Sequence, residues 1–186
     1  ALGISYLIIH PGSHGGLGVH RGIENVLSCI NAVMERFTGA TTLLIETTSG
    51  QGTGIGYRFE HLRDIIQGVC GGMIGACMDT CHIFSAGYDI RNTRRFRRTL
   101  REFDRVLGLH QLKALHLNDS KGALGSRVDR HMHIGRGEIG TLAFSLFMRD
   151  ERFASMPKIL ETPKRLEGRD MDRENLELLR TLSGKG

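Results

Sequence analysis

Tryptophan is missing from this sequence, proline occurs three times, and aromatic residues make up only 6% of its 186 positions. So little proline excludes a polyproline chain or a proline-rich linker. Long apolar runs are missing too: none reaches the ~18 residues a membrane-spanning helix needs, so no membrane partner is expected. The opening stretch, Ala1–Ile9, has neither the basic region nor the cleavage site of a signal peptide. The cysteines Cys29, Cys70, Cys77 and Cys81 form no CxxC pair. Without a secretion signal they predict a reduced, cytoplasmic protein, nuclear or organellar in a eukaryote.

What is abundant is glycine, with 25 residues, which suits many tight turns between strands and helices. Hydrophobic residues at 40% and charged residues at 24% are ordinary globular usage. The length predicts one domain, residues 1–186, with a sizeable core. A net charge of +5 fits a polyanionic ligand without requiring one.

Short apolar runs recur at Ile4–Ile9, Thr42–Ile45, Ile74–Met78, Ala114–Leu117 and Lys158–Leu160. They are near-continuous and do not alternate, as parallel strands buried on both faces are. Between them lie helical stretches at about 21–36, 57–69, 91–107 and 139–149, with a last one at 171–182. In 91–107, Phe96, Leu100, Phe103 and Leu107 recur at helical spacing and form one apolar stripe. This alternation predicts an α/β fold with a parallel sheet.

Each run ends on or against a metal-ligating residue: His10, Glu46, Asp79, His116 and Glu161. Asp, Glu and His fill about 0.16 of all positions, so chance gives five such endings roughly once in ten thousand, before discounting for runs chosen by eye. In parallel α/β folds the carboxyl ends of the strands converge on the active site. His82 follows Asp79 by three residues, and Asp129 and His131, two apart in an extended loop, point the same way. Eight candidates are too many for one tetrahedral ion and suit two or three ions sharing a carboxylate. Mixed imidazole and carboxylate ligands favour zinc or manganese over magnesium. Clustered ions of this kind serve phosphodiester hydrolysis. Cys77 and Cys81 flank Asp79 closely enough for zinc thiolates, but small buried hydrophobes are the better reading.

Five segments carry a resemblance: His10-Pro11-Gly12-Ser13-His14; Asp79-Thr80-Cys81-His82 with Ala86-Gly87-Tyr88-Asp89; His116-Leu117-Asn118-Asp119-Ser120-Lys121; Gly125-Ser126-Arg127-Val128-Asp129-Arg130-His131 with Ile134-Gly135; and Leu160-Glu161-Thr162-Pro163. Together, from about residue 4 to 182, they resemble the endonuclease IV family. The resemblance implies a TIM barrel, three zinc ions, and double-stranded DNA with abasic sites as substrate. It implies cleavage 5′ of the abasic site in base excision repair by a zinc-activated hydroxide, with Glu46 and Glu161 as catalytic carboxylates. His10 and Glu46 resemble ligands of a first zinc, with Glu46 bridging to a second held by Asp79, His116 and Glu161. His82, Asp129 and His131 resemble the ligands of the third.

Two departures follow. Thr47 stands where the family often has Asn after the bridging glutamate. A (β/α)₈ barrel typically needs ~250 residues, and only about five βα units are legible here. The expectation is therefore an incomplete barrel lacking its first three units, and with them one histidine of the first zinc site. It should form an open, curved sheet with edges at Ile4–His10 and Lys158–Glu161, prone to self-association or to pairing with the missing amino-terminal segment.

The remaining features have plainer readings. Arg91, Arg94, Arg95, Arg97, Arg98, Arg101 and Arg105 share the 91–107 helix and should lie on its solvated outer face. His14, His20, His61 and His110 read as surface or packing residues, and His133 as support beside the third site. Gly50-Gln51-Gly52-Thr53-Gly54 lacks the Lys-Ser/Thr of a phosphate loop and reads as a DNA-facing loop. Two rival functions remain: a divalent-metal sugar isomerase on the same barrel, and a non-catalytic DNA-binding fragment. Isomerases do not require a third metal position.

Overall fold

The computed structural model describes residues 3–166 and 168–184. Along the chain, β1 (Tyr6–Ile9) leads to α1 (Val19–Met34), and β2 (Thr42–Glu46) leads to α2 (Phe59–Gly68). After β3 (Ile74–Asp79) come two helices, the short α3 (Thr80–Ala86) and the long α4 (Thr93–Leu107). After β4 (Leu112–His116) come the two-residue strands β5 (Asp119–Ser120) and β6 (His131–Met132), then α5 (Thr141–Arg149). The last elements are β7 (Lys158–Ile159), the pair β8 (Arg165–Leu166) and β9 (Arg169–Asp170), and α6 (Met171–Leu182).

The main sheet has the order β1-β2-β3-β4-β7, with every neighbouring pair parallel. Alternation along each strand sends side chains to opposite faces. One set, including Ile45, Ala76, Met78 and Leu115, joins Phe59, Phe96, Phe103 and Phe147 from the helices in the principal core. The other set, Leu44, Cys77 and Ala114 with Tyr6 and Ile8, packs on the second face. This is the expected α/β architecture, a run of consecutive βα units from a TIM-barrel-type fold. The outer strands are β1 and β7, as the sequence predicts. Beside β1, Ile4, Leu7, Val33, Phe37 and Leu43 line an apolar hollow of about 260 Å³. No described helix is long and apolar enough to cross a membrane.

Three local expectations need correction. The fourth strand begins at Leu112, not Ala114, and ends at His116. Asp79 leads directly into α3, a helix outside the helical stretches read from the sequence. The Asp79 carboxylate accepts the His82 N–H at 2.8 Å and caps α3, which Gly87 ends in the left-handed region at φ 111°. The extended loop read around Asp129 and His131 is closed by a short ladder, in which β5 and β6 pair antiparallel, Asp119 with Met132 and Ser120 with His131.

Phe103 is fully buried and packs edge-on against Phe59 at a centroid separation of 5.1 Å. Phe103→Ala should cost about 3–5 kcal/mol in urea unfolding. Leu176→Ala, at a site 42% exposed, should change stability by no more than about 0.5 kcal/mol.

Candidate metal centre

The parallel register sets the site. Glu46, Asp79 and His116 are the last residues of β2, β3 and β4, and each lies two positions beyond Leu44, Cys77 and Ala114. Side-chain alternation therefore puts all three on one face at one edge. His10 follows β1 directly, and Glu161 comes two residues after β7. All five strand-end residues thus meet at the same edge of the sheet.

Four of the eight candidates form one compact group. The ligand-type atoms of Glu46, Asp79, His116 and Glu161 all lie within 4.8 Å of one another. His116 Nδ1 is 3.0 Å from Glu46 Oε1, 3.0 Å from Glu161 Oε2 and 3.9 Å from Asp79 Oδ2. His82, Asp129 and His131 form a second group, in which His82 Nε2 and His131 Nε2 sit 3.2 and 3.6 Å from Asp129 Oδ1. Between the groups, Glu46 turns its other oxygen, Oε2, toward His10 Nε2 at 3.4 Å. Its two oxygens therefore face different partners, as a bridging carboxylate requires.

Backbone carbonyls orient two of the imidazoles. His82 Nδ1 donates to the Thr47 carbonyl at 2.8 Å, and His131 Nδ1 donates to the Glu161 carbonyl at 3.1 Å. Each ring then turns Nε2 toward the acidic cluster. His131 Nε2 is buried without a hydrogen-bond partner, the one such side-chain atom among the described residues. It lies 3.8 Å from Asp79 Oδ2 and 3.6 Å from Asp129 Oδ1. A buried nitrogen without a partner, facing two carboxylates, is what a cation would complete, so the donor set fits a metal ion.

The imidazoles and carboxylates shift one another's proton affinity. Burial pushes the Glu46 carboxyl up, but hydrogen bonds from His10, His116 and His82 outweigh it and hold the group far below the usual range. Burial opposes charge on His82, yet Asp79, Asp129 and Glu46 raise it to about 12. His116 is raised in the same way by Cys77, Glu161 and Glu46 against its burial. Hydrogen bonds from His82 and His116 lower Asp129 and Glu161 respectively. Cys77 and Cys81 are buried and pushed up to about 11. Although Cys81 lies near Asp79 and His131, both thiols behave as the small buried groups the sequence favoured.

Residues that the sequence reading gave no ligand role hold this geometry. The Asn118 amide donates to Asp79 Oδ2 at 2.6 Å, and its carbonyl accepts the Glu161 N–H at 2.8 Å. Thr47 Oγ1 accepts the Asp79 N–H at 2.9 Å, so the Thr that departs from the family pattern still braces a ligand. Gln51, in the glycine-rich loop, accepts the Asp129 N–H at 2.8 Å. Asp119 is fully buried and accepts four backbone N–H groups, from Ser120, Gly135, Gly137 and Ile139. It thereby closes the loop that carries Asp129 and His131. Asn118 and Asp119 lie inside the quoted His116–Lys121 motif, but nothing in the sequence separates a brace from a ligand there.

The other histidines are structural or exposed. His14 Nδ1 accepts from Gly16 and Gly18, and the Gly56 N–H donates to buried His61. His20 pairs with Glu24 on the surface, and His110 is exposed. His133 is buried against Asn175, which ties the loop to α6 and not directly to the ligands.

Removing the Asn118 side chain would leave Asp79 and the Glu161 N–H without these partners. Asn118→Ala should lower divalent-metal affinity by about 10–100-fold, read by competition with a chromogenic chelator. Unchanged affinity in a folded variant would contradict the bracing role.

Residues 1–182 match the xylose isomerase-like TIM barrel family. The chain is 52% identical over 185 residues to a probable endonuclease 4 of Chloroflexus aggregans, covering 97% of this chain and 64% of that protein. It is similar to the crystal structure of endonuclease IV from Thermus thermophilus, with a TM-score of 0.81 and 35% identity, covering 100% of this chain and 64% of that one. A D-tagatose 3-epimerase-like protein superposes with a TM-score of 0.69 at 18% identity, over 96% of this chain and 61% of that one, which shows the shared fold alone. The chain thus spans slightly less than two thirds of the relatives it matches. The resemblance read from the motifs is borne out, and the chain belongs to the xylose isomerase-like TIM barrel family.

Proposed function

We propose that residues 1–186 form a single domain carrying the zinc centre of an endonuclease IV-type enzyme, which cleaves double-stranded DNA 5′ of an abasic site. The products are a 3′-hydroxyl and a 5′-deoxyribose phosphate. The observation that carries this reading is the second ligand group, His82, Asp129 and His131, with its bare His131 Nε2. A one- or two-ion sugar isomerase has no need of it.

When bound, divalent ions supply the water-activating and charge-neutralising chemistry of phosphodiester hydrolysis. Glu46, Asp79, His116 and Glu161 would hold one ion and His82, Asp129 and His131 another. His10 and Glu46 would hold a third only weakly, because the nearby His82 already directs Nε2 to Asp129. Glu46 would serve both the four-ligand position and the His10 position, and Glu161, with its side chain 44% exposed, is the carboxylate open to substrate. Asp119, Asn118 and Gln51 keep the ligands from moving as the phosphate enters. That rigidity is worth rate, because small misplacements are costly.

A duplex containing a tetrahydrofuran abasic analogue should be incised on its 5′ side by zinc-loaded protein, and Glu161→Gln should slow this by about 100-fold or more. Elemental analysis should give nearer two zincs than three per chain, with His131→Ala losing one. Less than one zinc, or a borohydride-trapped Schiff base, would overturn the assignment. Folded, zinc-replete protein that binds the duplex without cutting it would support the non-catalytic rival. The hollow beside β1 and the two open edges also support self-association, which light scattering across a concentration series tests; a monomer throughout would refute it.

A further inference from the structure

The positive charge of this chain is concentrated in one element. Residues 91–107 carry seven arginines against Glu102 and Asp104, a surplus that equals the net +5 of the whole sequence. The remainder of the chain is balanced. Asp89, buried beside the start of α4, pairs with both Arg91 and Arg95 and neutralises part of the cluster. Arg94, Arg97, Arg98, Arg101 and Arg105 are all exposed and make no ion pair among the described residues.

At 100° per residue, Arg94, Arg98, Arg101 and Arg105 fall within a sector of about 60°, opposite buried Phe96, Leu100 and Phe103. They form a stripe about 16 Å long at 1.5 Å rise per residue. Glu102 and Asp104 lie to its two sides, and Asp104 is engaged by the Leu109 N–H. The stripe begins at a hollow of about 440 Å³ lined by Arg94, Arg98 and Leu124. Leu124 belongs to the loop between β5 and β6 that also carries Asp129. The arginines therefore start against the loop that also carries Asp129 and run along the outward face of α4. A regular surface helix alternates its charges; one that aligns four unpaired guanidinium groups pays in self-repulsion and is matched by a regular polyanion.

We propose that this face of α4 is an accessory docking surface for the phosphate backbone of duplex DNA, outside the metal centre. Guanidinium groups suit phosphate oxygens, and a duplex presents a phosphate every 3.4 Å per strand. A stripe of this length is therefore long enough to face several phosphates. The choice of DNA over another polyanion rests on the proposed function; the surface itself does not.

The test uses zinc-loaded protein and a fluorescent, undamaged duplex of about 20 base pairs, with binding followed by anisotropy over a salt series. Replacing Arg94, Arg98, Arg101 and Arg105 together by Gln should flatten the slope of log affinity against log salt by about 3–4 and weaken low-salt binding at least ~10-fold. The same charge removed elsewhere, by Arg36, Arg149, Arg173 and Arg180 to Gln, should leave the slope within about 1 of the parent. An unchanged slope in the first variant, an equal loss in the second, or tighter parent binding to polyglutamate than to duplex overturns the proposal. If the quadruple variant fails to fold by circular dichroism, Arg98→Gln with Arg105→Gln should flatten the slope by about 2. Because this duplex has no abasic site, failed incision in the parent counts against the metal-centre reading alone and not against docking.

Discussion

Carboxylates taken out of water must be matched by positive charge, and that requirement organises one whole edge of this sheet. Glu46 and Asp79 are almost completely buried. An isolated buried carboxylate costs several kcal/mol even after relaxation. Three imidazoles surround Glu46, and Asp79 is further fixed by the Asn118 amide and the His82 N–H. The cluster satisfies itself only when the imidazoles hold protons or when cations take their place. Ions would relieve the same electrostatic demand and also occupy the bare His131 nitrogen, which protons alone leave without a partner.

The fold delivers these groups through its simplest property. Parallel strands share one direction, so their carboxyl ends fall on one edge, and the register pairs Asp79 with His116 and Glu46 with Cys77. Each apolar strand interior is a core requirement, and each polar strand end marks where that requirement stops. The apolar face against the helices and the ligand edge are therefore two consequences of one register. A one-residue slip would send Glu46 or His116 toward the Phe59–Phe103 core.

This is why the site could be read from sequence so directly. The strands show as unbroken apolar runs, and the residue that interrupts each run is the candidate ligand. Elements set by tertiary contacts are less legible. The seven residues of α3 are too few to show a helical period, and it depends on the Asp79 cap. β5 and β6 have two residues each, and only pairing across the loop defines them. Asn118 and Asp119 look alike in sequence, as polar residues after a strand, yet one braces two ligands and the other gathers four N–H groups. The distinction lies in which way each side chain points, and the His116–Lys121 motif does not carry that direction.

Asp119 also shows how far the candidate ligands depend on a buried residue outside their own groups. Its carboxyl is raised by burial, while four backbone N–H groups pull it back. Gly137 must approach so closely that any side chain there would collide with the Ser120 carbonyl and the Asp119 carboxylate. The acid and the glycine are thus one device: the acid supplies acceptors, and the missing Cβ lets the backbone reach them. Asp129 and His131 lie in the loop this device closes, held further by Gln51, by the β5–β6 pairing and by the Glu161 carbonyl. Loops are ordinarily the mobile part of a barrel's active edge. Here the loop bearing one candidate ligand group is tied by backbone and side-chain hydrogen bonds to groups outside it, so its position is set by more than its own turns.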